Sequence, residues 1–167
     1  MQKILSLLRR CVEDYDMIAP GERVAVGVSG GKDSLVLLAA LARLAQFYPG
    51  GFSVEVGTPG MDLSPLADYC RELGVPFHRI PTQMYHVIFE TRREKNPCAL
   101  CAKMRRGSLH TALLEAGIHK VALGHHYDDA VETFFMSLIF EGRLSCFQPV
   151  TYLDRTGITQ IRPLLYC

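Results

Sequence analysis

The chain has 167 residues, 49% of them apolar, enough for one α/β domain burying about 68–70% of its unfolded surface. Eighteen basic against seventeen acidic residues leave a charge of +1, which excludes nucleic-acid recognition through the global field and confines it to local patches. Lys3, Arg9 and Arg10 interrupt the first apolar residues and no run reaches transmembrane length, so neither a signal peptide nor a membrane partner is expected, and the six cysteines then argue for a reducing cytoplasm and for metal or catalytic use over a disulfide framework.

Residues Met1 to Tyr15 place Ile4, Leu7, Leu8, Cys11, Val12 and Tyr15 on one face, the spacing of an amphipathic helix, with Cys11 a packed residue of that stripe. Pro20-Gly21 ends the segment. Arg23 to Val28 reads as a buried strand and Leu35 to Ala45 as a buried helix. Tyr48 to Gly51 is a turn, Phe52 to Val56 a second strand and Gly57 to Gly60 a loop. Leu63 to Leu73 is a helix closed by Gly74, with Cys70 inside it, and Phe77 to Ile80 a third strand. Alternation of this kind predicts a parallel sheet with helices on both faces and a ligand site beyond the strands' carboxyl ends.

Ser29-Gly30-Gly31-Lys32-Asp33-Ser34 joins the first strand to its helix. Gly30 and Gly31 permit positive φ and close backbone approach, and the first N–H groups of the helix point at whatever sits there. Ser29 and Ser34 add hydroxyl donors and Lys32 a charge, making an anion site. The spacing is neither that of a Walker A loop nor GxGxxG. A polar-capped βα turn is the plainer reading, and it needs fewer of these groups.

Asn96 as N-cap and Pro97 as first helical residue predict a helix from there to Ala116, ended by Gly117. Cys98 and Cys101 then share a face in its first turns, where the dipole favours thiolates. A zinc site lacks a second CxxC pair, a thioredoxin-like disulfide belongs after a first strand, and an iron–sulfur cluster needs another cysteine; two packed thiols remain the plain alternative. Arg92, Arg93, Lys95, Lys103, Arg105 and Arg106 cluster around the pair. They read either as a solvated face or as a phosphate-backbone footprint for RNA.

Gly124 to Thr133 (GHHYDDAVET) again follows a strand, Val121 to Leu123, and opens a helix whose apolar face is Val131, Phe134, Phe135 and Leu138. Asp129 with Glu132 reads as a capping box. That leaves His125, His126 and Asp128 as groups able to bind Mg²⁺ with ATP or to move a proton.

The hexapeptide resembles the PP-loop (SGGxDS) of the ATP pyrophosphatases. Taken with CALCAKMRRG (98–107), GHHYDDAVET and Ile161-Arg162-Pro163-Leu164, the chain resembles the tRNA 2-thiocytidine synthetase family and its thiouridine-forming relatives. The resemblance implies a Rossmann-like, adenine nucleotide alpha-hydrolase-like PP-loop fold, one domain over 1–167 with its N-terminal helix at 1–15. It implies ATP on Ser29, Gly30, Gly31, Lys32, Asp33 and Ser34 with Gly124 and His125, and Mg²⁺ alongside. Lys32, Asp33 and Asp128 or Asp129 would serve catalysis. Cys98 and Cys101 would ligate a [4Fe-4S] cluster, and Lys103, Arg105 and Arg106 would meet tRNA. A pyrimidine C2 oxygen, that of cytidine first, would be adenylated, and sulfur relayed on the cluster would displace AMP. The partners so implied are tRNA, a sulfur donor such as a cysteine desulfurase, and a second copy in a homodimer.

Two departures stand out. The second strand lacks the following acidic residue, Val56 running into Gly57-Thr58-Pro59, and the chain ends at Cys167 where family members continue with a third cluster cysteine. A missing C-terminal region is expected, in preference to Cys146 or Cys167 as substitute ligand. The alternatives are a cluster-free PP-loop ligase or amidotransferase, and a nucleotide-binding redox module.

Overall fold

The computed structural model describes residues 1–49, 52–59, 64–80 and 107–167. The strands are β1 (Glu22–Gly27), β2 (Phe52–Pro59), β3 (Phe77–Ile80), β4 (Lys120–Ala122), β5 (Val150–Leu153) and β6 (Ile158–Ile161). Among the described residues they form one six-stranded sheet in the order β3-β2-β1-β4-β6-β5. All neighbours are parallel except β5, which pairs antiparallel with β6 and makes the sheet mixed at that edge.

Helices α1 (Gln2–Asp14), α2 (Lys32–Ala45) and α3 (Ser64–Glu72) cover one face. Alternate residues of β1 separate the two sides. Val24 and Val26 pack with Leu8, Val12, Leu38, Leu41 and Leu66, whereas Ala25 packs with Leu109, Leu113, Ile118, Val121 and Ile158. Leu109 and Leu113 lie on α4, described over residues 107–115, so helices do flank both faces. Burial of α2 extends around most of its circumference (Leu37, Leu38, Ala39, Ala40, Leu41, Ala42 and Leu44), which its unbroken apolar run requires.

Glycines close the helices as the sequence predicts. Gly74 (φ +66°) and Gly117 (φ +68°) turn left-handed, and the Val75 and Ile118 N–H groups reach back to the Cys70 and Leu113 carbonyls at 2.9 and 2.8 Å. Arg23 adds an Nη1 hydrogen bond to the Ala116 carbonyl at 2.8 Å.

Two boundaries and one burial pattern differ from expectation. Helix α2 begins at Lys32, inside the glycine loop. Strand β2 continues through Gly57 and Thr58 to Pro59, because β3 supplies a second partner: β1 pairs only as far as Gly57, while β3 pairs from Val56 to Pro59. Pro59 lies beyond the last β1 partner, so a proline there leaves no gap in the β1–β2 ladder. On helix α5 (Tyr127–Met136) and its π-helical continuation Ser137–Glu141 the apolar face is only partly covered: Val131 and Phe134 are half-buried, Phe135 and Leu138 are exposed, no residue of α5 is buried, and Ile139 and Phe140 are 70% and 79% exposed. No helix among the described residues is long and apolar enough to cross a membrane.

Leu38 is fully buried between α2 and the sheet. Replacing it with alanine should lower the unfolding free energy by about 2–5 kcal/mol, read from the urea midpoint at unchanged m-value.

Candidate functional site

The strand order reverses between β1 and β4, and both motif loops leave the sheet at that crevice. Gly30 takes φ +84°, with open space where a Cβ would stand. Gly31 caps α2 in extended conformation with no side-chain cap. The Leu35 N–H makes the first bond of the helical ladder, to the Gly31 carbonyl at 3.2 Å, so the N–H groups of Lys32, Asp33 and Ser34 precede it.

The two serines divide their roles. Ser34 is buried; its hydroxyl donates to the Gly31 carbonyl at 2.8 Å and accepts from the Ser29 N–H at 3.3 Å. It braces the loop from beneath instead of offering a donor outward, as both serines were expected to do. Ser29, Gly30, Gly31 and Lys32 form the exposed rim, with Asp33 half-buried. The result is an open cradle of backbone N–H groups, one lysine and one hydroxyl, a donor set that fits phosphate. Beside Gly30 an apolar cavity of about 550 Å³ opens between Leu35, Val36 and Ala39 of α2 and Pro65, Leu66 and Tyr69.

Gly124 ties the second motif to the first. A Cβ at this residue would stand 3.0 Å from the Ser34 nitrogen, 3.2 Å from the Asp33 carbonyl carbon and 3.3 Å from the Ser34 Cα. Only glycine lets the end of β4 lie against the first turn of α2.

Beyond it, His126 rather than Asp129 is the N-cap of α5. His126 Nδ1 accepts from the Asp128 N–H at 3.3 Å, and the Asp129 carboxylate accepts from the His126 N–H at 2.8 Å. The capping box is therefore His126 with Asp129, not Asp129 with Glu132; a histidine can fill the cap because its unprotonated ring nitrogen accepts as a serine oxygen would. Asp129 is committed to the backbone, while Asp128 is exposed one turn-position earlier. The Tyr127 N–H is taken by the Cys167 carbonyl at 3.1 Å.

His125 points away from its neighbour. Its ring lies 5.2 Å from that of Phe147 at an interplanar angle of 43°, and the Arg162 guanidinium carbon lies 4.8 Å over the Phe147 ring. Phe147 carried no signal in the sequence. Arg162 did: a charged residue directly after a strand, within an otherwise apolar run, is a candidate for a buried and bonded charge.

Cys11 and Cys70 are fully buried, as packed residues should be; burial pushes the Cys11 thiol up to about 11 and raises that of Cys70. The Cys146 thiol donates to the Ala130 carbonyl at 3.3 Å, and burial raises the Cys167 thiol. Among the described residues no group of three or more His, Cys, Asp or Glu is placed to hold a metal ion. Cys98, Cys101, Lys103, Arg105 and Arg106, with the helix start at Asn96, lie outside the described residues.

Comparison with known proteins supplies context. A model of the PP-loop domain family matches residues 2–167. The tRNA-cytidine(32) 2-sulfurtransferase of Sorangium cellulosum is 41% identical over 172 residues, covering 99% of this chain and 61% of that protein. Its namesake in Pseudomonas fluorescens is 40% identical, with coverage of 99% and 63%. The chain thus spans under two thirds of the length of these curated relatives. Among solved structures, the U34-tRNA thiolase NcsA from Methanococcus maripaludis with its [4Fe-4S] cluster aligns with a TM-score of 0.75 at 22% identity, covering 98% of this chain and 58% of that one. NMN synthetase from Francisella tularensis aligns with a TM-score of 0.54 at 16% identity, covering 98% and 62%. Both likenesses bear on the fold alone, and with the family match they make this chain an α/β protein of the adenine nucleotide alpha-hydrolase-like fold.

Gly124→Ala should destabilise the chain by about 1–3 kcal/mol, since every atom it meets is backbone. Gly30→Ala meets nothing and should cost only its left-handed strain, about 1 kcal/mol. Paired thermal melts check the order; a Gly124 variant as stable as the Gly30 variant would contradict the close approach.

Proposed function

The chain belongs to the PP-loop domain family, and on that premise we propose that it binds ATP on the Ser29–Ser34 loop and serves ATP-dependent tRNA thiolation. The observation that carries this reading is the contact of Gly124 with the Asp33–Ser34 backbone, which brings both motifs to one crevice. The substrate class follows the curated relatives, which are named tRNA-cytidine(32) 2-sulfurtransferases.

In this reading the pyrimidine C2 oxygen, that of cytidine first, attacks the α-phosphorus of ATP. The bond to the bridging oxygen breaks and pyrophosphate leaves with its electron pair. Sulfur at the sulfide level then attacks C2, and the C2–O bond breaks to release AMP carrying the original oxygen. Exposed Lys32 at the first position of α2 and the open N–H groups of its first turn hold the phosphates, with Asp33 beside them. The apolar cavity beside Gly30 suits a base better than a phosphate. Gly124 and His125 close the other side of the crevice. Asp128, exposed, is assigned the Mg²⁺ or proton-transfer role; Asp129 is assigned to positioning, because its carboxylate already holds the His126 N–H.

A [4Fe-4S] cluster would be held by Cys98 and Cys101 and would supply the site from which sulfur is passed on. The buried, protonated thiols of Cys11 and Cys70 do not suit it. Lys103, Arg105 and Arg106 are assigned to tRNA phosphates. A sulfur donor such as a cysteine desulfurase, a homodimer and a cytoplasmic setting complete the reading, with residues 1–167 as one PP-loop domain.

Two experiments test it. Lys32→Ala and Asp33→Ala should each abolish AMP formation from ATP and tRNA while circular dichroism stays unchanged, each lost charge-assisted contact being worth about 1.5–3 kcal/mol. AMP release at the parental rate in either variant refutes the loop assignment. Anaerobic reconstitution should load iron and acid-labile sulfide on the parent chain and not on the Cys98→Ala, Cys101→Ala variant. Equal loading removes the cluster and favours a cluster-free ligase.

A further inference from the structure

Ile161-Arg162-Pro163-Leu164 has no part in the chemistry above, yet it places a guanidinium only 6% exposed directly behind the second motif. Arg162 is fixed at its backbone and at Nη1. Its N–H donates to the Pro149 carbonyl at 3.0 Å, its carbonyl accepts from the Leu165 N–H at 3.2 Å, and its Nη1 donates to the Gln148 carbonyl and to Thr151 Oγ1 at 3.0 Å. A planar cation so held presents its face in one orientation. Phe147 lies against it at 4.8 Å, within cation–π range.

The residues on either side of Phe147 are tied as well. Cys146 donates its thiol to Ala130 of α5, and Gln148 gives its carbonyl to Arg162. The ring is therefore anchored to the helix that begins in the second motif and to the strand that ends beside it. Its remaining ring partner is His125, at 5.2 Å.

We propose that Arg162 and Phe147 are positioning residues that set the His125 imidazole at the lip of the nucleotide site, the guanidinium fixing the phenyl ring and the phenyl ring fixing the imidazole. This rests on the reading of His125 as a nucleotide contact. A side chain at an exposed strand end samples several rotamers unless something packs against it, and each rotamer lost in advance is entropy not lost on binding. A brace for the β5–β6 edge alone would need Arg162 and its hydrogen bonds but no aromatic ring between it and a histidine.

The ring is the element to remove. Phe147→Leu keeps apolar bulk and leaves the Arg162 hydrogen bonds in place, and Phe147→Tyr restores a ring. In the Leu variant the His125 Hε1 resonance should shift as the ring current is lost, with the melting temperature held within about 4 °C. ATP affinity by calorimetry should fall about tenfold, the worth of one hydrogen bond, and recover in the Tyr variant. Coupling is the decisive readout: in a His125→Ala background, Phe147→Leu should cause no further loss of ATP affinity. Arg162→Lys, which keeps charge but not the flat face, should reproduce the Leu phenotype with some loss of stability. Additive losses in the cycle, or an unmoved His125 resonance, overturn the proposal and return Arg162 to a purely structural brace. If the parent chain binds no ATP, the nucleotide reading fails separately, and the His125 resonance alone decides whether the stack sets that ring.

Discussion

Backbone meets backbone where Gly124 lies against the first turn of α2, and both motifs depend on that approach. With β4 beside β1, two helices begin at neighbouring strand ends, so the partial positive charges of their N-termini fall on one crevice. A single methyl group at residue 124 would stand at 3.0 Å from the Ser34 nitrogen, and the displaced partner would have to be the loop itself. The tolerance is set by main-chain atoms, which cannot rotate aside as a side chain can.

Around that contact, residues of the same type are separated by burial into different duties. Ser34 ties the glycine loop together from inside while Ser29 stays on the rim. Asp129 satisfies a backbone N–H while Asp128 faces solvent. His126 caps a helix and His125 stacks on a ring. Each motif thus contains its own scaffold, which leaves the exposed member of each pair at a defined place without borrowing stability from the reacting groups.

Much of this was legible where the cause is local. The stripe of Leu8, Cys11 and Val12, the closing turns at Gly74 and Gly117, and the strand–glycine–helix order at Ser29–Ser34 all follow from short-range spacing and are found in the fold. What escaped depends on partners distant in sequence. Gly57-Thr58-Pro59 carries turn residues, and pairing with β3 makes it strand. The antiparallel edge strand has no local mark that distinguishes it from a parallel one. Asp129 pairs backwards to His126, where the Glu three residues on suggested a forward box. On α5, periodicity correctly identifies an apolar face but says nothing of what lies over it, and Phe135 and Leu138 of that face are exposed. Phe147 meets Arg162, fifteen residues further on, a relation that no motif spacing encodes.

The bond between the Tyr127 N–H and the Cys167 carbonyl has a bearing on how the molecule is made. A chain synthesised from its N-terminus has the glycine loop complete early, but β1 waits for β4, and β4 for β6, before either strand is flanked on both sides. The first turn of α5 gains its last partner only when residue 167 has emerged. The second motif therefore matures only after closures that span on the order of forty residues, and until then its strand edges stand open to other pairings. A nascent chain of this fold depends on delay: the loop that would grip phosphate is present long before the other wall of its crevice.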